Sequence, residues 1–252
     1  MRLARRAGGC ETERVSRQPA RCVPVIPILA LAVGAALAGA LTAPLQAAPL
    51  TCPGGEVTVE ARDEGRARQV CDQIEEIRPA LSACGLRQNG PLTVRLVEAS
   101  GQTSGPFVGS YTAGSNEILL AEPEALPGIL AEDHPFAGLG PPLMFQSLLV
   151  HELAHAFLDQ AECTRARCVA EHEYVAYAMQ LSLLPPEARE ALIGGYAAEG
   201  PIEIEILNDF IAQADPLFFA SRVWLHFTQP ENGCGFIARI QSGEVDLRLP
   251  PL

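Results

Sequence analysis

Polar and apolar positions in the first third of the chain follow two different periods. Residues 56–61 (Glu-Val-Thr-Val-Glu-Ala) and Pro91–Glu98 alternate with the period of two expected of strands. Between them, Val70, Ile74, Ile77 and Leu81 recur at helical spacing across 63–84, and Gly85 supplies a stop. Phe107–Thr112 and Glu117–Ala121 are short strand candidates separated by Ala-Gly-Ser-Asn, which reads as a hairpin. A Gly/Ser/Thr-rich stretch over 100–106 precedes this hairpin, and a Pro/Gly-rich connection over 122–142 follows it.

From Pro141 onward the period becomes helical. Pro141 and Pro142 suit a first turn, and Leu143, Phe145, Leu148 and Leu149 lead a helix to about Gln160. Further helices are expected over 169–184, 186–193, 202–213, 216–228 and 234–241, with Pro185-Pro186 ending the first of them. The expected fold is therefore α+β: a small mixed sheet of strand–helix–strand plus hairpin, followed by a mainly helical lobe. The sheet would occupy 48–125 and the helices 126–252 of a single domain, which suits a chain that is 48% hydrophobic.

The N-terminus changes the expected location of that domain. Residues 1–47 carry Arg residues, then an apolar small-residue run from about Val23 to Leu45, then Leu45-Gln46-Ala47, which reads as a signal peptide cleaved after Ala47. The competing reading is an uncleaved anchor, and Pro24, Pro27 and Pro44 favour removal. The segment holds six Arg and two Glu, so its loss takes the net charge from −12 to about −16. Such an acidic body repels phosphate backbones, so nucleic acid is not an expected partner, and nothing after residue 48 is long enough to insert stably in a membrane. All basic residues are Arg, which excludes Schiff-base and P-loop chemistry through Lys.

Cysteine usage agrees with a periplasmic or secreted protein. Cys52, Cys71, Cys84, Cys163, Cys168 and Cys234 remain after the signal, an even number that suggests three disulfides. Cys163 and Cys168 are near enough in sequence to make a local loop, while the pairing of the other four is open. No C-x-x-C pair argues for a structural zinc site instead.

One short run carries chemistry. His151-Glu152-Leu153-Ala154-His155 puts two imidazoles on one helical face, able to converge on one divalent ion, with a carboxylate beside them to accept a proton from water. Zinc held catalytically takes three protein ligands, so a third is expected downstream. The metzincin solution fails, because Leu158 and Ala161 stand where Gly and His are required. Glu171, His172 and Glu173 are the candidates.

With Glu173 and Ala176 in the pattern E-x-x-A after H-E-x-x-H, residues 143–180 resemble the gluzincin group of zinc metallopeptidases and small exported bacterial members of it. The resemblance implies that His151, His155 and Glu173 hold zinc, that Glu152 is the general base, and that the small Ala176 lets helices pack closely beneath the metal. It also implies that the hairpin Phe107–Ala121 presents an edge strand to an extended peptide. Seventeen residues separate His155 from Glu173, about one fewer than the commonest aminopeptidase spacing, and Tyr177 replaces the Asp of the alternative pattern. A disulfide between Cys163 and Cys168 would hold the two ligand-bearing helices together. His226 and Tyr177 are candidates to stabilise an oxyanion, with Tyr174 and Tyr196 not separable from them by spacing and His134 ranked lower. Asp159 either orients a histidine or decorates a solvent face.

The expected function is an exported zinc-dependent peptidase acting on peptide or protein. The alternatives are a non-catalytic zinc- or peptide-binding envelope protein on the same scaffold, and a disulfide-stabilised protein with no metal.

Overall fold

The computed structural model describes residues 48–54, 56–98, 108–130 and 135–249. The signal-peptide reading of 1–47, the stretch 100–106, Phe107 and His134 lie outside the described residues. Five strands form one mixed sheet: β1 (Leu50–Thr51), β2 (Val57–Glu60), β3 (Leu92–Val97), β4 (Gly109–Thr112) and β5 (Glu117–Ala121), in the order β1-β2-β3-β5-β4. β2 and β3 are parallel, as are β3 and β5, while β1 and β4 run antiparallel at the two edges.

The strand–helix–strand expectation is met by α1 (Glu64–Ala83), the crossover that a parallel β2–β3 pair requires. Asp63 caps it, its carboxylate accepting from the Arg66 N–H at 2.8 Å. Its end is a Schellman closure: Gly85 lies at φ 79°, its N–H donates to Ser82, and the Leu86 N–H reaches back to Leu81. One face of the sheet is apolar, with Val57, Val59, Leu92, Val94, Leu96, Ile118 and Leu120 buried under the helices. The other carries an ion-pair ladder, where Arg95 bridges Glu60 at 2.7 Å and Glu117 at 2.8 Å across three adjacent strands. The alternation that marked these segments in sequence thus separates a core face from a solvated one.

Every described element after β5 is helical: α2 (Leu126–Ile129), α3 (Pro141–Asp159), α4 (Val169–Leu183), α5 (Pro186–Ile193), α6 (Asp209–Ala214), α7 (Pro216–Phe227) and α8 (Gly233–Ser242). α3 begins where Gly140 takes φ 72° and hands a preset turn to Pro141. It is apolar nearly all round because it is the central helix, packed on the sheet and against α4. Leu184 is extended before Pro185, which ends α4 as expected.

Two departures have local causes. The helix expected over 202–213 is a 3-10 turn at Ile204–Ile206 followed by α6, because Asn208 is extended and caps α6 by accepting from the Ile211 N–H. β1, two residues long, has no periodicity to read, and is anchored by the neighbouring disulfide Cys52–Cys71.

The second disulfide, Cys84–Cys234, ties the end of α1 to the start of α8. The expected Cys163–Cys168 disulfide is a correction: both are free thiols. Cys168 is the N-cap of α4, its buried sulfur accepting from the N3 backbone N–H, and burial pushes its thiol up to about 12. Cys163 instead lies beside Gly243, so the two sulfurs serve different neighbours. No described helix is long and apolar enough to cross a membrane. Two disulfides are compatible with an oxidising compartment.

The disulfides should contribute unequally, because they close segments of 19 and 150 residues. Chain-entropy reasoning gives about 3 kcal/mol for Cys52–Cys71 and about 5 kcal/mol for Cys84–Cys234. Urea titrations of the two Cys-to-Ala double mutants should show the larger loss for Cys84/Cys234; an equal or reversed order would contradict this.

Candidate metal centre

Three of the residues singled out in the sequence meet at one point. The Nε2 atoms of His151 and His155 are 3.0 Å apart, and each lies 3.6 Å from a different Glu173 carboxylate oxygen. These atoms form a compact donor triangle. Nitrogen and oxygen ligands about 2.1 Å from a tetrahedral ion stand about 3.4 Å from one another, so the triangle has the size of a single divalent site. Two imidazoles and one carboxylate are also a donor set suited to zinc.

The helices explain the convergence. On α3, His151 and His155 are one turn apart, and on α4 the positions Glu173, Tyr177 and Gln180 form one stripe at four- and three-residue steps. Both stripes line the same cavity of about 780 Å³. Ala154 and Ala176, on the same two helices, are fully buried.

The imidazoles are prepared for metal binding. Gln180 Nε2 donates to Ser147 Oγ at 2.8 Å, which fixes the amide so that its oxygen accepts from His151 Nδ1 at 3.0 Å. The proton then resides on Nδ1 and the Nε2 lone pair faces Glu173. Burial, followed by the neighbouring His151 and His172, holds His155 well below its ordinary value and hence neutral.

Glu152 stands outside the triangle, against the edge strand. Its carboxyl is pushed up to about 7, chiefly by burial; His151 and the Tyr111 backbone hydrogen bond pull it down, and Glu173 pushes it up. A Cβ on Gly109 would lie 3.1 Å from Glu152 Oε1 and 2.8 Å from Leu120, so Gly109 makes room for the carboxyl under β4. The Ala121 N–H bonds to Val108, so in the antiparallel register Ser110 and Thr112 also face β5, while Gly109 and Tyr111 turn their backbone groups to the free edge.

Asp159 does neither of the jobs expected of it. Its Oδ2 accepts from the Tyr111 hydroxyl at 2.6 Å and the Gly114 N–H at 2.7 Å, fastening the β4–β5 hairpin to the end of α3. Gln160 adds a second tie, accepting from the Asn89 and Gly90 N–H groups and donating to Pro91 and Asn116. Gln180, Ser147 and these clamps were not foreseen. The spacing of Glu173, Tyr177 and Gln180, at four- and three-residue steps along α4, was the one signal available for Gln180.

The rival ligands go elsewhere. Glu171 is fully buried and paired with Arg165, accepting from the backbone N–H groups of Cys168 and Leu247 at 2.9 and 3.1 Å. It caps α4 and anchors the C-terminal segment. His172 sits 5.9 Å from His155 ring to ring, outside the donor triangle. Tyr177 lies at the cavity wall, its ring 4.8 Å from that of His151, and burial keeps its hydroxyl protonated. His226 does not line this cavity, which corrects its candidacy. It is buried against Phe236, 4.5 Å away, and its Nδ1 is hydrogen-bonded to the Tyr174 hydroxyl at 2.8 Å. Tyr174 is thereby also a core residue. Tyr196 lies in a 3-10 turn against Phe218, away from the centre.

What fold and site define is an α+β protein with a His–His–Glu donor cluster between two helices and a buried carboxyl beside it. Residues 57–250 match the family model described as "Family of unknown function (DUF6639)", and the chain belongs to that family. No curated protein and no solved structure matches the chain.

Two outcomes follow from this geometry. Gln180→Leu should weaken divalent-cation affinity about 10- to 100-fold, as loss of an orienting partner typically does, measured by competition with a chromophoric chelator. In metal-stripped protein, the raised Glu152 value means the folded state holds a proton that the unfolded state releases. Stability is lost as pH rises from about 4.5 to about 7 and is level above. Glu152→Gln should therefore stabilise the stripped protein above pH 7 and give no such gain below pH 4.5, as read by denaturation across that range.

Proposed function

We propose that this chain is an exported zinc-dependent metallopeptidase of gluzincin type. The observation that carries the reading is the approach of His151, His155 and Glu173 to within 3.6 Å beside a buried carboxyl that is not part of the cluster. Zinc held there would supply Lewis acidity, polarising a carbonyl and making water nucleophilic near neutral pH.

The chain's own residues do the rest. Glu152 takes the proton of the attacking water and returns it to the leaving amine, a role suited to a buried carboxyl that stands beside the donor cluster without belonging to it. Tyr177, protonated at the cavity wall, can donate a hydrogen bond to charge developing on the carbonyl oxygen. Gly109 and the Tyr111 carbonyl on the free edge of β4 offer backbone groups along which an extended peptide can lie as an added strand, while the Tyr111 N–H is taken by Glu152. The Asp159 and Gln160 clamps hold that edge in register with α3, so the bound chain and the base keep a constant spacing.

The second reading is a non-catalytic zinc- or peptide-binding protein on the same scaffold. It is favoured by nothing specific in the site, and the buried Glu152 counts against it, because holding a metal requires no base there. Export is supported by the two disulfides and by the signal-like N-terminus.

Metal analysis of purified protein should find about one zinc per chain, lost on His151→Ala or Glu173→Ala. Wild type should cleave members of a peptide library, and Glu152→Gln should lower kcat at least about 100-fold while retaining zinc. Absence of zinc would sink both readings, and zinc without turnover by wild type would leave the non-catalytic one.

A further inference from the structure

Two of the three donor residues ride on α3, and His151 is braced there by Gln180. Glu173 has no such brace. Among the described residues, no hydrogen bond or ion pair reaches its carboxylate apart from the approach of His151 and His155. Its position is therefore set by the backbone of α4, one turn past the start at Val169. Whatever fixes the first turn of that helix also fixes the third donor.

That turn is gripped from two sides. From α6, Asp209 Oδ1 accepts from the Ala170 N–H at 2.7 Å. From the other side, the fully buried Glu171 accepts from the Cys168 N–H, from both terminal guanidinium nitrogens of Arg165 and from the Leu247 N–H. Arg165 also donates to the carbonyls of Gly243 and Val245, so residues 243–247, which follow α8, complete the pair. Val245 and Leu247 are themselves buried in the core, which seats this segment. Arg167 adds a tie from the same loop, donating to the Ala161 carbonyl past the end of α3 at 3.1 Å and to that of Gln241 in α8 at 2.8 Å. Cys168, Glu171 and Asp246 bring donor atoms within 4.8 Å of one another, and the cation among them is the Arg165 guanidinium.

We infer that the C-terminal segment 243–247 is a working part of the metal centre: by completing the Arg165–Glu171 pair it holds the first turn of α4 where Glu173 reaches the two imidazoles. Arg165 and Glu171 are then positioning residues that act through the backbone of α4. A buried carboxylate deprived of part of its partner set must rehydrate, and the turn that carries it shifts to let water in. Glu173 lies two residues further along the same helix and moves with it, while the imidazoles on α3 stay in place. The inference rests on the reading of His151, His155 and Glu173 as a metal site and is independent of turnover.

The test uses full-chain protein stripped of metal: wild type, Arg165→Gln, Arg165→Lys, Leu247→Pro and Glu244→Gln. Zinc affinity is measured by competition with a chromophoric chelator, and the visible spectrum of bound Co2+ reports the coordination geometry. Near-ultraviolet circular dichroism establishes that each variant is folded. Arg165→Gln, and Leu247→Pro, which deletes the N–H given to Glu171, should weaken zinc affinity about 10- to 100-fold and weaken the Co2+ bands of a four-coordinate ion. Arg165→Lys keeps the charge but not the fork, so it should lose less, in the same direction. Glu244→Gln breaks only the exposed pair with Arg239 and should stay within about 2-fold of wild type. Wild-type affinity and spectrum in folded Arg165→Gln overturn the inference, as they do in Arg165→Lys should the Gln variant not fold. An equal loss in Glu244→Gln overturns it too. If wild type itself binds neither ion, the metal reading falls and takes the inference with it, a result distinct from metal binding that the variants leave unchanged.

Discussion

The close approach of α3 and α4 is the constraint on which the rest of the molecule depends. Two imidazoles and a carboxylate are polar groups placed at a partly buried helix interface, where each loses part of its water and gains from a partner. They find one another because α3 and α4 pack against each other and Gln180 reaches across from α4 to hold His151 through a hydrogen bond anchored on Ser147. The nearly all-round burial of α3 follows from the same requirement: sheet, α4 and α2 enclose it, so His151 and His155 have little freedom to turn away.

Legibility in the sequence tracks how local each cause is. The H-E-x-x-H pair, the alternation of β2 and β3, the stop at Gly85 and the turn at Pro141 are decided within a few residues, and each was readable before the fold was known. Glu173 could be preferred over Glu171 by pattern alone, but the reason emerges only in three dimensions. Glu171 lies at N3 of α4, where its carboxylate closes a capping box and neutralises Arg165. The same capping geometry explains the failed Cys163–Cys168 expectation. Short sequence separation makes a disulfide conceivable, yet the N-cap role turns Cys168 inward toward its own helix. His226 misled for a related reason: its partner, Tyr174, lies 52 positions earlier on another helix, and no spacing rule connects the two.

Asp159 and Gln160 were the least legible, and they matter for how sheet and helix work together. Placing an edge strand beside the helix that carries the histidine pair is a problem of register between elements that share no backbone hydrogen bonds. Two consecutive side chains at the end of α3 solve it, by accepting from and donating to the β4–β5 hairpin and the turn before β3. Nothing in their local sequence announces this, since Asp and Gln at a helix end are ordinary surface residues.

The position of Glu152 bears most directly on whether the centre performs chemistry. Its carboxyl is nearly excluded from water, and the Tyr111 backbone hydrogen bond and His151 only partly offset that cost, so the group titrates near 7 instead of near 4.5. A neutral isostere or an apolar residue would fill the space beneath Gly109 more stably, and the glycine is itself required there, since a Cβ would come within 2.8 Å of Leu120. The arrangement thus places a destabilising group one residue from a donor cluster that does not use it, at the point where the free edge of β4 would bring a backbone carbonyl. A structural role would call for removing that carboxyl, whereas a proton-transfer role calls for keeping it where water is scarce and its affinity for a proton is poised near neutrality.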